Sequence, residues 1–396
     1  MKFYSVNVKV VTPMIISERV GFRGFIYRSL RSYIPGSMFR GALLTKLIEE
    51  GFSQKEVNSL ALNPDFSVTS LLASNSNNPL LIENTLIAHY LCQKSKWPGK
   101  DVVLSPGIEN VISAIKRGRV DLEAAISDAT LNFTLKLTSR GEVWFQPGEL
   151  KSCGGKVVSL EHLGWRISRV DVSSYIQVSL DHVRGAVSPG LIYAYEQVKP
   201  GTTYTGFITA LDTSPIMSLI RKVASSSVYL RIGRGISRGY GLVELRARPI
   251  DPRKLIEKVI SEPIKLGDIV ALEVLTPTFT LEPLPKPFIK GSVIEVDEAW
   301  FSKMTGQLVE LKLKILDHPV GSLRKYVGWS LRTNTPKLPV KGLSPGSLLI
   351  CKIESCSVDV NEALPLLPFI GVNDFSAQGF NQLIPMNVDP FPSEVK

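Results

Sequence analysis

The chain has 396 residues, 44% of them hydrophobic and 21% charged, which excludes a disordered basic tail and accommodates two folded domains. Lysine and arginine outnumber the acids by 46 to 36, and the resulting net charge of +10 favours a polyanionic partner, nucleic acid first and a membrane surface second. A mean hydropathy of +0.12 is slightly high for a free-standing soluble protein and points to buried subunit interfaces.

Residues 3–11 are predicted as a first strand, since Phe3, Val6, Val8 and Val10 include a period-two set. The N-terminal stretch lacks the continuous apolar core of a secretory signal, and no apolar run is long enough to cross a bilayer. The cysteines Cys92, Cys153, Cys351 and Cys356 form no CxxC pair, so a reduced, cytoplasmic setting is expected. After a loop over 12–35, a helix is predicted from Pro35-Gly36-Ser37, with Ser37 as N-cap. Leu43, Leu44, Leu47 and Ile48 form its apolar stripe, and Gly51 stops it.

Residues of about 52–165 read as an insertion, with a helix near 108–125 and a hairpin over 131–145. Strands are then predicted over 176–183, 191–197 and 203–211. A helix over 215–224 and strands over 228–232 and 242–247 complete the half. Strand, helix, strands, helix, strand is the ferredoxin-like plan that RNA-recognition domains share. Pro249, Asp251 and Pro252 mark a boundary. The expected fold is therefore α+β, with two ferredoxin-like (RRM-like) domains at 1–250 and 251–396 and a long insertion in the first. Two short echoes suggest internal duplication. Ser237 to Gly241 resembles Ala377 to Asn381, and Pro35-Gly36-Ser37 resembles Pro345-Gly346-Ser347.

The strongest local feature is the run from Gly233 to Gly241, which contains Gly233, Arg234, Gly235, Ser237, Arg238, Gly239, Tyr240 and Gly241. Its glycines permit positive φ, and successive exposed N–H groups in such a loop form an anion nest. Arg231, Arg234 and Arg238 add forked donors suited to phosphate, while Tyr240 could stack on a base or simply pack. No Lys-Ser/Thr follows the glycines, which excludes a Walker A loop, and a strand rather than a helix follows, which excludes a Rossmann fingerprint.

A second feature is the acid-free window between Glu18 and Glu49, where Arg19, Arg23, Arg28, Arg31, Arg40 and Lys46 interleave with Phe22, Phe25, Tyr27, Tyr33 and Phe39. Charge that tracks a backbone and rings that stack on bases suit single-stranded RNA, and the helix start near Ser37 offers free N–H donors. A third acid-free window, 318–353, holds Arg324, Lys325 and Tyr326. His89, Cys92, Cys153 and His162 are metal-ligand types, but without tight spacing no metal or other cofactor is assigned. His182, beside Asp181 and Arg184, joins no catalytic constellation, so no catalytic residue is assigned either.

Ile34-Pro35-Gly36-Ser37 followed by Arg40-Gly41 resembles the start of helix one in the RAMP superfamily of CRISPR-associated proteins. Gly233 to Gly241 resembles that superfamily's glycine-rich loop, and residues between them, Asp181 to Gly185, Tyr193, Glu196, Gly201 and Gly206-Phe207, resemble its middle strands. In the second half, Trp329, Pro336-Lys337, Pro345-Gly346-Ser347 and a degenerate loop from Gly371 to Asn381 resemble the large RAMP subunit of type III-D effector complexes. The resemblance implies a non-catalytic, Cas-five-like subunit that grips the 5′ tag of the crRNA. It would adjoin a large polymerase-type subunit and backbone RAMP subunits and meet target RNA indirectly, with no membrane role. Target-slicing backbone subunits carry an aspartate before this helix, and Thr12 to Pro35 contains none. The alternatives are a repeat-processing endoribonuclease on the same fold, a backbone RAMP subunit, and an RNA-binding protein unconnected with CRISPR. Processing needs an acid–base group, and neither main basic segment contains a histidine.

Overall fold

The computed structural model describes residues 1–16, 26–27, 29, 32–74, 85–95, 103–118, 124–127, 129, 150–161, 164–181, 186–280, 285–327, 329–330, 335–336 and 339–391. Among these, the chain is a mixed assembly of mainly antiparallel sheets and helices. The first unit opens with β1 (Lys2–Val10), β2 (Tyr33–Ile34), α1 (Gly36–Glu49), α2 (Gln54–Leu62), β3 (Phe66–Val68) and β4 (Leu71–Ser74). Further along come β5 (Thr85–Ile87), α3 (Ile108–Lys116), β6 (Val157–Glu161), β7 (Gly164–Ile167), β8 (Val172–Asp181) and β9 (Ala186–Val198). The unit closes with β10 (Thr203–Ala210), α4 (Ile216–Ser225), β11 (Val228–Arg231) and β12 (Leu242–Pro249).

Its sheet runs β11-β12-β1-β10-β4-β2, with β3 also on β10. β1 sits between β10 (Val6 opposite Gly206) and β12 (Val8 opposite Leu245), antiparallel to both. Val6, Val8 and Val10 therefore share one face and meet Phe39, Leu43 and Leu47 of α1 and Leu219, Ile220 and Val223 of α4 in one core. The helix stripe uses Phe39 rather than Ile48, which is 38% exposed.

Three sequence expectations need correction. Residues 66–74 belong to this sheet, so the departure from it begins after Ser74 and not near 52. The predicted strands at 176–183 and 191–197 exist as β8 and β9, but they pair with each other and with residues 26–27 in a separate sheet. β3 and β4 escape a periodicity reading because they are short and buried on both faces, leaving no polar alternation. Helix α3 is shorter than expected because Gly118, at φ 92°, ends it. The hairpin expected over 131–145 lies outside the described residues.

The second unit contains β13 (Ile269–Val274), β14 (Val293–Glu295), α5 (Glu298–Thr305), β15 (Leu311–Ile315), β16 (Leu323–Tyr326) and β17 (Val340–Leu343). It ends with β18 (Leu348–Cys356), α6 (Val360–Ala363), α7 (Leu367–Ile370) and β19 (Leu383–Met386). Its sheet order is β14-β15-β18-β13-β19, antiparallel throughout. With β13, β15, β18 and β19 standing for β1, β4, β10 and β12, the two units follow the same order. Leu86, Ile87, Val103, Ile108, Val111 and Trp165 extend the second unit's core.

The duplication reaches individual hydrogen bonds. Val10 donates to the Thr202 carbonyl and Val274 to the Ser347 carbonyl, both at 2.8 Å. The Gly201 and Gly346 N–H groups return the bond to Val10 and Val274, again at 2.8 Å. Thr12 Oγ1 accepts from the Leu242 N–H at 2.9 Å, and Thr276 Oγ1 from the Gln382 N–H at 3.0 Å. Pro345-Gly346-Ser347 therefore matches Pro200-Gly201-Thr202, the turns into β18 and β10. It does not match the helix start at Pro35-Gly36-Ser37, because the second unit's corresponding helix is α5.

Glu273, on β13, is fully buried, and neither carboxylate oxygen has a hydrogen-bond partner. Burial, aided by Asp389, pushes its carboxyl well above the usual range. A carboxyl with a raised folded pKa holds a proton that the unfolded chain releases. Its contribution is present in acid and lost as pH climbs above the ordinary glutamate value of about 4.3. Glu273→Gln is therefore expected to raise Tm at pH 7, with the gain shrinking as pH falls toward 4. A gain that stayed constant with pH would contradict this origin. No helix among the described residues is long and apolar enough to cross a membrane.

Candidate nucleic-acid interface

The glycine loop joins β11 to β12. Gly233, Gly235, Gly239 and Gly241 have φ of 99°, 75°, 87° and 75°, around a 3-10 turn at Ile236–Arg238. Only glycine adopts this series without strain, and at two of the four the neighbours also forbid a side chain. A Cβ on Gly233 would strike the Ile15 carbonyl, and one on Gly241 the Ile232 carbonyl. The loop is pinned as well as tight. Ile232 donates to the Gly241 carbonyl at 2.8 Å, Arg234 to Ile15 at 2.9 Å and Gly241 to Pro13 at 2.9 Å. The loop and the start of the 12–35 segment, far apart in sequence, are thus one structure.

These bonds revise the expected anion nest. The N–H groups of Arg234, Arg238, Gly239, Tyr240 and Gly241 all donate to protein carbonyls. Those five N–H groups are taken up within the protein, and the loop presents Arg231, Arg234, Ser237 and Arg238 as exposed side chains. Tyr240 is half-buried, and its ring lies so close over Gly235 that an added Cβ would come within 2.9 Å of Cδ2, which favours packing over base stacking.

Arg40 does not belong to the interface. It is buried, donating from Nη2 to the Ala61 carbonyl at 2.9 Å and to Leu60 at 3.4 Å, with its guanidinium 5.7 Å from the centre of the Phe66 ring. Burial pushes its pKa down to about 10, against the opposing pull of Asp374. It fastens α1 to the end of α2. Ser37 is exposed, but it is not the N-cap: Pro35 holds that position, with no side-chain bond to the helix end. Phe39 lies in the core and Tyr33 is half-buried. Arg19, Arg23, Arg28 and Arg31 lie outside the described residues. So do His162 and His182.

The second unit's counterpart loop is built differently. Its 3-10 turn, Asp374–Gln378, ends at Gly379, which faces Gly36 at the start of α1. Asn381, at φ 55°, occupies the place of Gly241 and is fully buried. Its side chain accepts from the Phe279 N–H at 2.9 Å and donates to Asn373 Oδ1 at 3.1 Å. Asp374 and Gln378 stand where the first loop has Arg234 and Arg238. This loop joins the two units. Arg324 and Lys325, from the third acid-free window, are exposed on the β16–β17 ribbon.

His89 and Cys92 come together in the core, with Cys92 Sγ 3.6 Å from both ring nitrogens and His89 Nε2 3.1 Å from Asp389 Oδ2. Ser105 Oγ also donates to that carboxylate. Burial, with a further contribution from Cys153, pushes the Cys92 thiol up. Among the described residues, no group of three or more His, Cys, Asp and Glu is arranged to hold a metal ion.

No family model matches the chain. No curated protein matches it either. Solved structures do. A type III-B Cmr-beta structure bound to cognate target RNA and AMPPnP is similar over 87% of this chain and 86% of its own, at 10% identity and a TM-score of 0.44. A chain of the Csm3-Csm4 subcomplex of the type III-A CRISPR-Cas interference complex is similar over 98% and 100%, at 12% identity and a TM-score of 0.37. Oligomeric Cmr4 from Pyrococcus furiosus is similar over 63% and 100%, at 13% identity and a TM-score of 0.27. At these identities and scores the likeness carries no weight of its own. The functional reading rests on the sequence motifs and the geometry of the loop.

Proposed function

We propose that this chain is a non-catalytic RNA-binding subunit of a type III CRISPR effector, in which the glycine loop of the first unit holds the crRNA, at its 5′ tag. The supporting observation is the contrast between the two loops. The first presents Arg231, Arg234 and Arg238 to solvent from a backbone fixed by its own hydrogen bonds. The second lacks the arginines, packs Gly379 against Gly36 of the first unit and buries Asn381. The shared strand order supports reading both units as ferredoxin-like halves, at 1–250 and 251–396, with other type III subunits as partners.

Arg234→Ala with Arg238→Ala is expected to weaken binding of a crRNA-tag oligonucleotide more than tenfold at fixed salt. Each charge-assisted bond is worth about 1.5–3 kcal/mol before coupling. Melting should change little, because neither side chain lies in the core. A double variant that binds the tag like the wild type and still enters the complex would sink the proposal.

A further inference from the structure

Beside the glycine loop, the strand face turned away from α1 and α4 carries a groove of about 430 Å³. Strand pairing assembles it from residues distant in sequence. Lys9 lies between Glu244 and Thr203, and Asn7 between Arg246 and Thr205, so all of these point to one side. Arg248 continues the row, and Tyr229, 53% exposed, extends the same face on β11 opposite Glu244.

The charge of the groove is one-sided. Lys9, Arg246 and Arg248 line it, and its single acid, Glu244, is engaged by Arg246 at 2.8 Å. That engagement holds the Glu244 carboxyl below its usual range. At the floor, Asn7 Nδ2 and the adjoining Thr205 Oγ1 have no hydrogen-bond partner, and Thr205 is 1% exposed. The strand face that carries the groove runs on to the loop, since Arg231 pairs with Leu242, the first residue of β12. From Leu242 to Arg248 the strand covers about 20 Å at roughly 3.4 Å per residue, enough for several nucleotides.

We propose that this sheet face is a second RNA-binding surface, taking single-stranded RNA that leaves the glycine loop along β12, with Lys9, Arg246 and Arg248 on the phosphates and Tyr229 beside the bases. Alternating basic side chains with an adjacent exposed ring suit a strand with an anionic backbone and flat bases. Continuity with the loop favours RNA over an acidic protein segment. The inference rests on the loop's RNA role and adds a surface to it.

The test uses the full-length protein with Lys9→Ala, Arg246→Ala and Arg248→Ala combined, beside the Arg234/Arg238 double variant. The probes are single-stranded RNAs of about six and about eighteen nucleotides, the short one matched to the loop alone and the long one reaching the groove. The groove variant is expected to bind the long RNA at least tenfold more weakly and the short RNA as the wild type does. Its log–log salt slope for the long RNA should be shallower by about 2, at roughly 0.7 for each phosphate that the three side chains no longer neutralise. The loop variant should weaken both. A groove variant that binds both RNAs normally, while the loop variant fails, overturns this inference and leaves the proposed function standing. Wild-type protein that binds neither RNA overturns both. Polyglutamate that competes for the groove as well as the long RNA, charge for charge, would identify an acidic polypeptide surface and also overturn it.

Discussion

Gly36→Ala is expected to destabilise the protein by about 3 kcal/mol, although alanine is the better helix former. A Cβ at Gly36 would stand 2.6 Å from the Cα of Gly379 and 3.2 Å from the Thr69 carbonyl, and one at Gly379 would stand 2.5 Å from the Cα of Gly36. These neighbours are backbone, so no rotamer change relieves the contact. Either α1 moves or the second loop does. That loop is tied on its far side by Asn381 and by Gln382 Nε2, which donates to the Val68 carbonyl at 3.2 Å. At about 2–4 °C per kcal/mol, the drop in Tm is roughly 6–12 °C. Gly41→Ala is the control. It lies in the same helix with nothing within 4 Å of an added Cβ, and it should stabilise by about 0.5–1 kcal/mol. If both variants moved Tm in the same direction, the close approach of the two glycines would not be what holds the units together.

That junction shows what the sequence made legible. The strand over 2–10, the helix beginning at Gly36 and the glycine loop all follow from local signals: alternation, a Pro-Gly start and a cluster of glycines. The duplication was partly visible in the loops. A clearer sign lay in Val10-Val11-Thr12-Pro13 and Val274-Leu275-Thr276-Pro277, whose threonines make the same bond in each unit. Arg40 misleads because an arginine in an acid-free, aromatic-rich window looks the same whether it faces RNA or two carbonyls at the end of a helix. Its partners, Ala61 and Asp374, become neighbours only after folding. The N–H groups of Arg234 and Gly241 look available in sequence for the same reason, since Ile15 and Pro13 accept from them across about two hundred intervening residues. The groove needs β10, β1 and β12 in register before Thr203, Lys9 and Arg246 share a face.

The glycines of the loop should not be equivalent, and Gly241→Val is expected to be far worse than Gly239→Ala. Both positions have positive φ, 75° and 87°, where an L residue pays about 1–2 kcal/mol. At Gly239 nothing lies within 4 Å of an added Cβ, so this conformational cost is the whole effect. At Gly241 the Cβ would strike the carbonyl of Ile232, whose N–H is bonded to the Gly241 carbonyl, so relief of the clash breaks the loop's closure. The Gly241 N–H would also be drawn from Pro13, freeing the start of the 12–35 segment. A β-branched residue adds its own aversion to this region, and the total reaches about 3 kcal/mol or more. Gly241→Asn should fall between the two, because asparagine accepts left-handed backbone and the second unit holds Asn381 there at φ 55°, while the contact with Ile232 remains. Melting of the three variants should rank them Gly239→Ala, Gly241→Asn, Gly241→Val in increasing damage, and RNA affinity should follow that order, since Arg234 and Arg238 keep their positions only while the loop stays closed. Equal damage from Gly239→Ala and Gly241→Val would mean that conformational strain alone, and not the contact with Ile232, sets the loop's shape.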